Sequence, residues 1–148
     1  MHVTGPDGDR TIAADDFFTG YFSNALEQPE ILTSVTLHAL GGRQIGYQEI
    51  DIGEAAARAV AVVASNNGTI TEATVVLGCL PVPTRLDAVG QALQGPATFD
   101  AVATATSTAG EGIDPLSDPD ASSEYRRAMA PVVAKRAVME ALGGHDGN

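Results

Sequence analysis

Aromatic side chains make up only 5% of the 148 residues, cysteine occurs once, and basic residues are outnumbered by acidic ones, 8 to 19. The single Cys79 excludes an internal disulfide framework and any thiolate metal cluster built from one chain. His2, His38 and His145 are widely spaced and supply weak material for a metal site, so no metal is expected. A formal charge of −11 argues against nucleic acid, whose affinity for proteins rests on Lys and Arg neutralising phosphates, and equally against an anionic membrane. No apolar run approaches the ~20 residues of a membrane helix. The N-terminus MHVTGPDGDR lacks the basic-then-apolar pattern of a signal peptide, so a cytoplasmic protein is expected.

What is present is 44% hydrophobic residues, enough for one domain with a real core. GPDGDR opens the chain with a turn signal. Phe17, Phe18, Tyr21 and Phe22 then hold most of the aromatic content and read as a packing cluster that anchors an N-terminal arm. ILTSVTL and RQIGYQEI, separated by Gly41-Gly42, read as strands. AARAVAVVAS and TITEATVVLG flank Asn66-Asn67-Gly68, and Asn-Gly tolerates the positive φ angles of a tight hairpin. The Ala-rich arm has helical propensity, but its valines and the turn favour a strand from Val60 onward.

Beyond Pro81 and Pro83, Leu86, Val89 and Leu93 recur at helical spacing, giving a helix over about residues 84–94, and a weaker one fits Phe99 to Ala109. Asp118 or Asp120 is expected to cap a last helix with an apolar stripe of Tyr125, Met129, Val132, Val133 and Ala137, kinked or interrupted at Pro131 and ending at Gly143-Gly144. The fold class is therefore α+β: a small antiparallel sheet of three to four strands covered by a C-terminal three-helix layer. Residues 1–29 are expected as an N-terminal arm packed on the domain, 30–142 as the domain, and 143–148 as a flexible tail.

Four stretches carry a family resemblance: GPDGDRTIAADDFFTGYFSNALEQPEILTSVTL, TEATVVLGCLPVPTR with Arg85, LQGP, and IDPLSDPDASSEYRRAMAPVVAKRA with Tyr125, Arg126, Arg127 and Arg136. Together they resemble the C-terminal domain of the FAD-carrying medium subunit of molybdenum hydroxylases, the carbon monoxide dehydrogenase flavoprotein family, over nearly the whole chain. The resemblance implies the same sheet-and-helix fold. It also implies that FAD is held mainly by Gly-rich loops of two preceding subdomains, for which the sequence has no counterpart. No cofactor is therefore expected on this chain, or else FAD only through a partner subunit. The sequence departs from the family pattern in GYQEIDIGEAAARAVAVV: Tyr47 is kept, but Glu49, Gly53 and Ala56 stand where the pattern has two basic residues and an Asp.

Tyr47 and Glu49 alternate on one strand and share a face. A carboxylate desolvated there would have a raised pKa and serve as general acid or base, with the Tyr47 hydroxyl as donor to a carbonyl oxygen. His38, at a strand end, is the third candidate catalytic residue, as a proton carrier. Cys79 reads as an inert thiol in an apolar run, and Arg126 and Arg127 as partners of nearby carboxylates.

Two functions follow. One is a stand-alone domain without the flavin-holding domains that binds an uncharged small molecule on its sheet face, as a cofactor-independent isomerase or cyclase. The alternative is a non-catalytic accessory subunit of a split molybdenum hydroxylase, an oxidoreductase of xanthine or CO dehydrogenase type, docking on a separate FAD domain. An open sheet left by absent domains makes a homodimer the expectation under both.

Overall fold

The computed structural model describes residues 1–52 and 55–143, with only the backbone of Ala55. Gly53 and the tail beyond residue 143, including His145, lie outside the described residues. The chain forms two compact units, one of Met1–Leu40 and one from Gly41 onward.

In the first unit, β1 (His2–Gly5) and β2 (Gly8–Thr11) form an antiparallel hairpin. A one-turn helix, α1 (Ala14–Phe17), leads into a second small hairpin, β3 (Phe18–Gly20) and β4 (Ser23–Asn24). Strand β5 (Ile31–Ser34) pairs with the other edge of β1. ILTSVTL is thus a strand only as far as Ser34, and it belongs with the N-terminal residues, not with the strand after Gly41-Gly42. Val3, Ile12 and Phe17 form a buried core on which Leu26 and Leu32 pack. Arg10 clamps this unit with a two-pronged ion pair: its Nε donates to Glu30 Oε1 at 2.6 Å and its Nη2 to Glu30 Oε2 at 2.7 Å. Glu30 also accepts from the Glu27 N–H at 2.7 Å, and together these donors hold its carboxyl down at about 2, the Arg10 bond contributing most.

The second unit is built on an antiparallel meander of three long strands, β6 (Gln44–Asp51), β7 (Ala55–Asn66) and β8 (Thr69–Gly78). Asn67 at φ 49° and Gly68 at φ 74° make the turn between β7 and β8, as an Asn-Gly hairpin requires. The Ala-rich segment is strand from its start, because its alternation outweighs helical propensity: Ala57, Ala59, Ala61 and Val63 face the core while Arg58, Val60, Val62 and Ala64 face outward. Two-residue strands β9 (Thr84–Arg85) and, later in the chain, β10 (Gly95–Pro96) each pair with β8.

Helices α2 (Asp87–Ala92), α3 (Phe99–Thr106) and α4 (Ser123–Ala141) supply the expected three-helix layer. Val63, Ile70, Val75, Val102, Val133 and Val138 are the fully buried centre between sheet and helices. Small residues on both sides let α4 lie almost on the backbone of the sheet. A Cβ on Gly46 of β6 would stand 2.0 Å from the Ala137 carbonyl oxygen and 2.8 Å from the Ala141 nitrogen.

Two expectations for α4 need correction. Its N-cap is Ser122, whose hydroxyl accepts from the Tyr125 N–H at 3.1 Å, while Asp118 instead accepts from the N–H groups of Asp120 and Ala121 in the preceding turn. The helix also runs unbroken through Pro131. Proline there removes the donor that would have met the Arg127 carbonyl, and the bare α-carbon of Gly110 packs against that carbonyl, where a Cβ would come within 2.4 Å.

Candidate functional site

The helices cover one face of the second sheet, and the other face stays open. Cross-strand register sets Ile45 beside Val62 and Thr74, Tyr47 beside Val60 and Val76, and Glu49 beside Arg58 and Gly78. Arg85 on β9 adjoins Val76 at the far margin. The result is an apolar stripe bounded by an ion pair.

Along this face runs a short hydrogen-bonded string. The Tyr47 hydroxyl donates to Glu49 Oε2 at 2.5 Å, and the Arg58 Nε donates to the same oxygen at 3.1 Å. The bond to Glu49 holds the phenol proton and raises the Tyr47 pKa, with partial desolvation adding to it. Tyr47 is 46% exposed, and the Glu49 side chain 40%. Glu49 therefore accepts from a phenol and a guanidinium on a surface that water reaches. On the opposite side of β6, Glu140 of α4 accepts from the Tyr47 backbone N–H at 2.9 Å and from Gln48 Nε2 at 3.0 Å, covering donors on the sheet's edge strand.

The sequence candidates divide between the two units. Tyr47 and Glu49 are brought together, whereas His38 is exposed on the first unit. Arg58 and Glu140 were missed. Arg58 had a signal, as the only cation on the strand that pairs with Glu49; Glu140 had none, because 93 positions separate it from Tyr47.

Beside this face, a narrow cavity is lined by Arg58, Gly78, Cys79, Ile113 and Arg126. Arg126 is 8% exposed. Its Nη1 donates to the Ala56 carbonyl at 3.0 Å and its Nη2 to Asp118. Ala56 thus lies buried against a guanidinium that takes its carbonyl. Tyr125, expected in the buried stripe, is instead partly exposed, and Arg126 takes that place in line with Ala130, Val133 and Ala137. Arg127 pairs with Asp114 at 3.7 Å. Cys79 holds a positive φ of 61°, and burial pushes its thiol pKa up, so it is a poor nucleophile.

The described residues do not fit a whole FAD. A dinucleotide diphosphate needs free N–H groups at a Gly-rich turn opening a helix, or cations. The glycine-bearing concavity of the first unit is lined by Asp7, Asp9, Glu27 and Glu30, and its Arg10 is already held by Glu30. Among the described residues no group of His, Cys, Asp and Glu could hold a metal ion, and no helix is long and apolar enough to cross a membrane.

An antiparallel sheet with one face open and the other under three C-terminal helices defines a small α+β domain. Residues 47–141 match the CO dehydrogenase flavoprotein C-terminal domain, and the chain belongs to that family. It is 32% identical to the carbon monoxide dehydrogenase medium chain of Afipia carboxidovorans, over 94% of this chain and 50% of that one. With the carbon monoxide dehydrogenase medium chain of Hydrogenophaga pseudoflava it shares 31% identity over 92% of this chain and 50% of that one. Among solved structures, a carbon monoxide dehydrogenase from H. pseudoflava lacking the Mo-pyranopterin moiety of its molybdenum cofactor superposes with a TM-score of 0.85 at 30% identity, covering 96% of this chain and 52% of that one. Quinoline 2-oxidoreductase from Pseudomonas putida 86, at 24% identity and a TM-score of 0.83 over 97% of this chain and 52% of that one, shares the fold. The chain spans about half the length of the curated relatives it matches.

Proposed function

We propose that this chain is the non-catalytic C-terminal portion of the flavoprotein component of a molybdenum hydroxylase of CO dehydrogenase type, docking through the open face of its second sheet on the portion that holds FAD. The observation that carries this reading is coverage: nearly the whole chain superposes on one half of a medium chain. The open face supports it. Ile45, Tyr47, Val60, Val62 and Val76 form an apolar surface left uncovered by the chain's own helices. FAD enters only through the partner portion, since the residues described here do not fit its diphosphate.

Size argues that the docked partner reaches beyond this face. Three strands ~4.8 Å apart, with the eight residues of β6 at ~3.3 Å each, present roughly 380 Å². Stable interfaces bury about 800 Å² per partner, so a homodimer through this face alone is too small to persist. A second reading, a cofactor-independent isomerase or cyclase acting on an uncharged ligand, is favoured by one observation, the 2.5 Å bond from Tyr47 to Glu49. It ranks lower because Arg58 already neutralises the carboxylate and water reaches all three groups.

The test is to produce the half of the H. pseudoflava medium chain that this chain does not cover, with FAD bound, and mix the two. Co-elution as a one-to-one, flavin-coloured complex is expected, weakened by Val60→Glu. Failure to co-elute, or stoichiometric FAD on the isolated chain, would refute the proposal.

A further inference from the structure

The aromatic cluster of the first unit does not pack as the sequence suggests. Of its four rings only Phe17 is buried; Phe18 and Tyr21 are exposed, and Phe22 is 93% exposed. Tyr21 and Phe22 occupy the tip of the β3–β4 hairpin with their rings 4.4 Å apart. Phe22 holds a φ of 51°, in the left-handed region that bulky residues rarely adopt. Asparagine or glycine would make this turn with less strain. The chain therefore keeps a large ring in an unfavourable backbone conformation, in water, at the end of a projection. Nothing among the described residues gains from that, and backbone strain of this kind concentrates where a segment serves recognition.

The surrounding charge selects the partner. Met1–Leu40 holds Asp7, Asp9, Asp15, Asp16, Glu27 and Glu30 against Arg10 alone among Lys and Arg, and Arg10 is committed to Glu30. Asp16 is exposed on α1, which runs directly into β3. Like charge disfavours nucleic acid, an anionic membrane or a second copy of this chain, whereas a protein surface rich in Lys and Arg is attracted. Aromatic anchors seated in apolar pockets with a polar rim are the usual high-affinity centres of protein interfaces. We infer that the Tyr21–Phe22 hairpin tip is an anchor that docks the first unit on a separate protein chain, inserting into an apolar cleft rimmed by Lys and Arg. This contact stands on the first unit alone and does not depend on the docking proposed for the sheet face.

The experiment places the photoreactive residue p-benzoylphenylalanine at Tyr21 of the full chain in its native cells. On irradiation, one predominant protein cross-link is expected, to a peptide that mass spectrometry shows to be apolar and flanked by Lys or Arg. Adding Phe22→Asn, or separately Asp16→Lys, should lower the yield by about tenfold or more. Phe22→Asn should meanwhile leave the thermal midpoint of the purified chain unchanged or raise it, because asparagine tolerates positive φ. A cross-link to lipid, to a second copy or to an uncharged or acidic surface overturns the inference, as does the absence of any cross-link. A lowered midpoint for Phe22→Asn also overturns it, since Phe22 would then be a packing residue of its own unit.

Discussion

Gly46→Ala is the smallest substitution that should dismantle the second unit. The added Cβ would sit 2.0 Å from the Ala137 carbonyl oxygen, 2.8 Å from the Ala141 nitrogen and 3.0 Å from the Ala137 carbonyl carbon. Relief to an ordinary contact near 3.4 Å requires α4 to retreat by about 1.4 Å. Val133, Ala134, Ala137, Val138 and Ala141 are each no more than 2% exposed, so they lose contact with the sheet together. A radial gap of ~0.5–1 Å already forfeits a quarter to a half of a van der Waals well. Overpacking alone costs ~1–3 kcal/mol, and with this shared loss we expect about 3–5 kcal/mol, reduced by up to ~1 kcal/mol because Ala restricts the unfolded chain more than Gly. Against the ~5–15 kcal/mol typical of a domain, that lowers the thermal midpoint by roughly 8–25 °C. Calorimetry or urea unfolding followed by circular dichroism reads it directly. Ala137→Gly should not rescue the variant, because the clash is with the helix backbone and not with the alanine methyl. A Gly46→Ala chain that loses less than ~1 kcal/mol, or that Ala137→Gly restores, would refute the close approach of α4 to β6.

Other perturbations test the ion pairs. The Glu30 carboxyl is lowered from its usual 4.5 to about 2, so the stabilisation it gives is fully present above pH 4.5 and lost as pH falls through about 2. The difference in urea midpoint between the native chain and Glu30→Gln should shrink over that window; a constant difference would show that the pair does not titrate as described. Arg126→Ala should cost ~2–3 kcal/mol, below the ~3–5 kcal/mol of a fully buried pair because Asp118 is partly exposed, and Arg126→Lys should recover only part of it because it cannot span both acceptors. Equal stability of Arg126→Ala and the native chain by chemical denaturation would contradict the role assigned to this buried guanidinium. Glu49→Gln should move the Tyr47 phenol titration, followed by ultraviolet absorbance, back down toward the ordinary tyrosine range, because the hydrogen bond to a carboxylate is the main cause of its rise; an unmoved titration would place the cause elsewhere.

How legible the fold was depended on whether the deciding interaction was local. The hairpin at Asn67-Gly68 follows from backbone conformations that those two residues tolerate, and its register then fixes which side of β7 faces inward. The strand at Ala55–Asn66 was legible only from Val60 onward, where the valines and the turn outweigh the helical propensity of the alanines before them. Ile31–Ser34 could not be placed, because its partner β1 lies almost thirty positions upstream and Gly41-Gly42 offered a closer apparent turn. Pro131 misled for a similar reason: whether a proline breaks a helix depends on what meets the carbonyl it frees, and that is Gly110, in another segment.

For the site, type and spacing placed Tyr47 and Glu49 on one face but did not supply the cation that meets Glu49. That cation is Arg58, set opposite Glu49 by the pairing of β6 with β7. The same limit inverted Tyr125 and Arg126. Helical spacing with Met129 and Val132 put the tyrosine in the buried stripe, yet the face turned to the sheet runs one residue on, with residue 126 in line with Ala130, Val133 and Ala137. An arginine can occupy that line only because Asp118 and the Ala56 carbonyl meet it there. Such an inversion is where pattern reading should fail, since a buried cation costs several kcal/mol unless the fold supplies its partners. An apolar side chain on an exposed tip is the mirror case. Phe22 gains nothing from its own unit, so the reason for it has to be sought in what that unit touches.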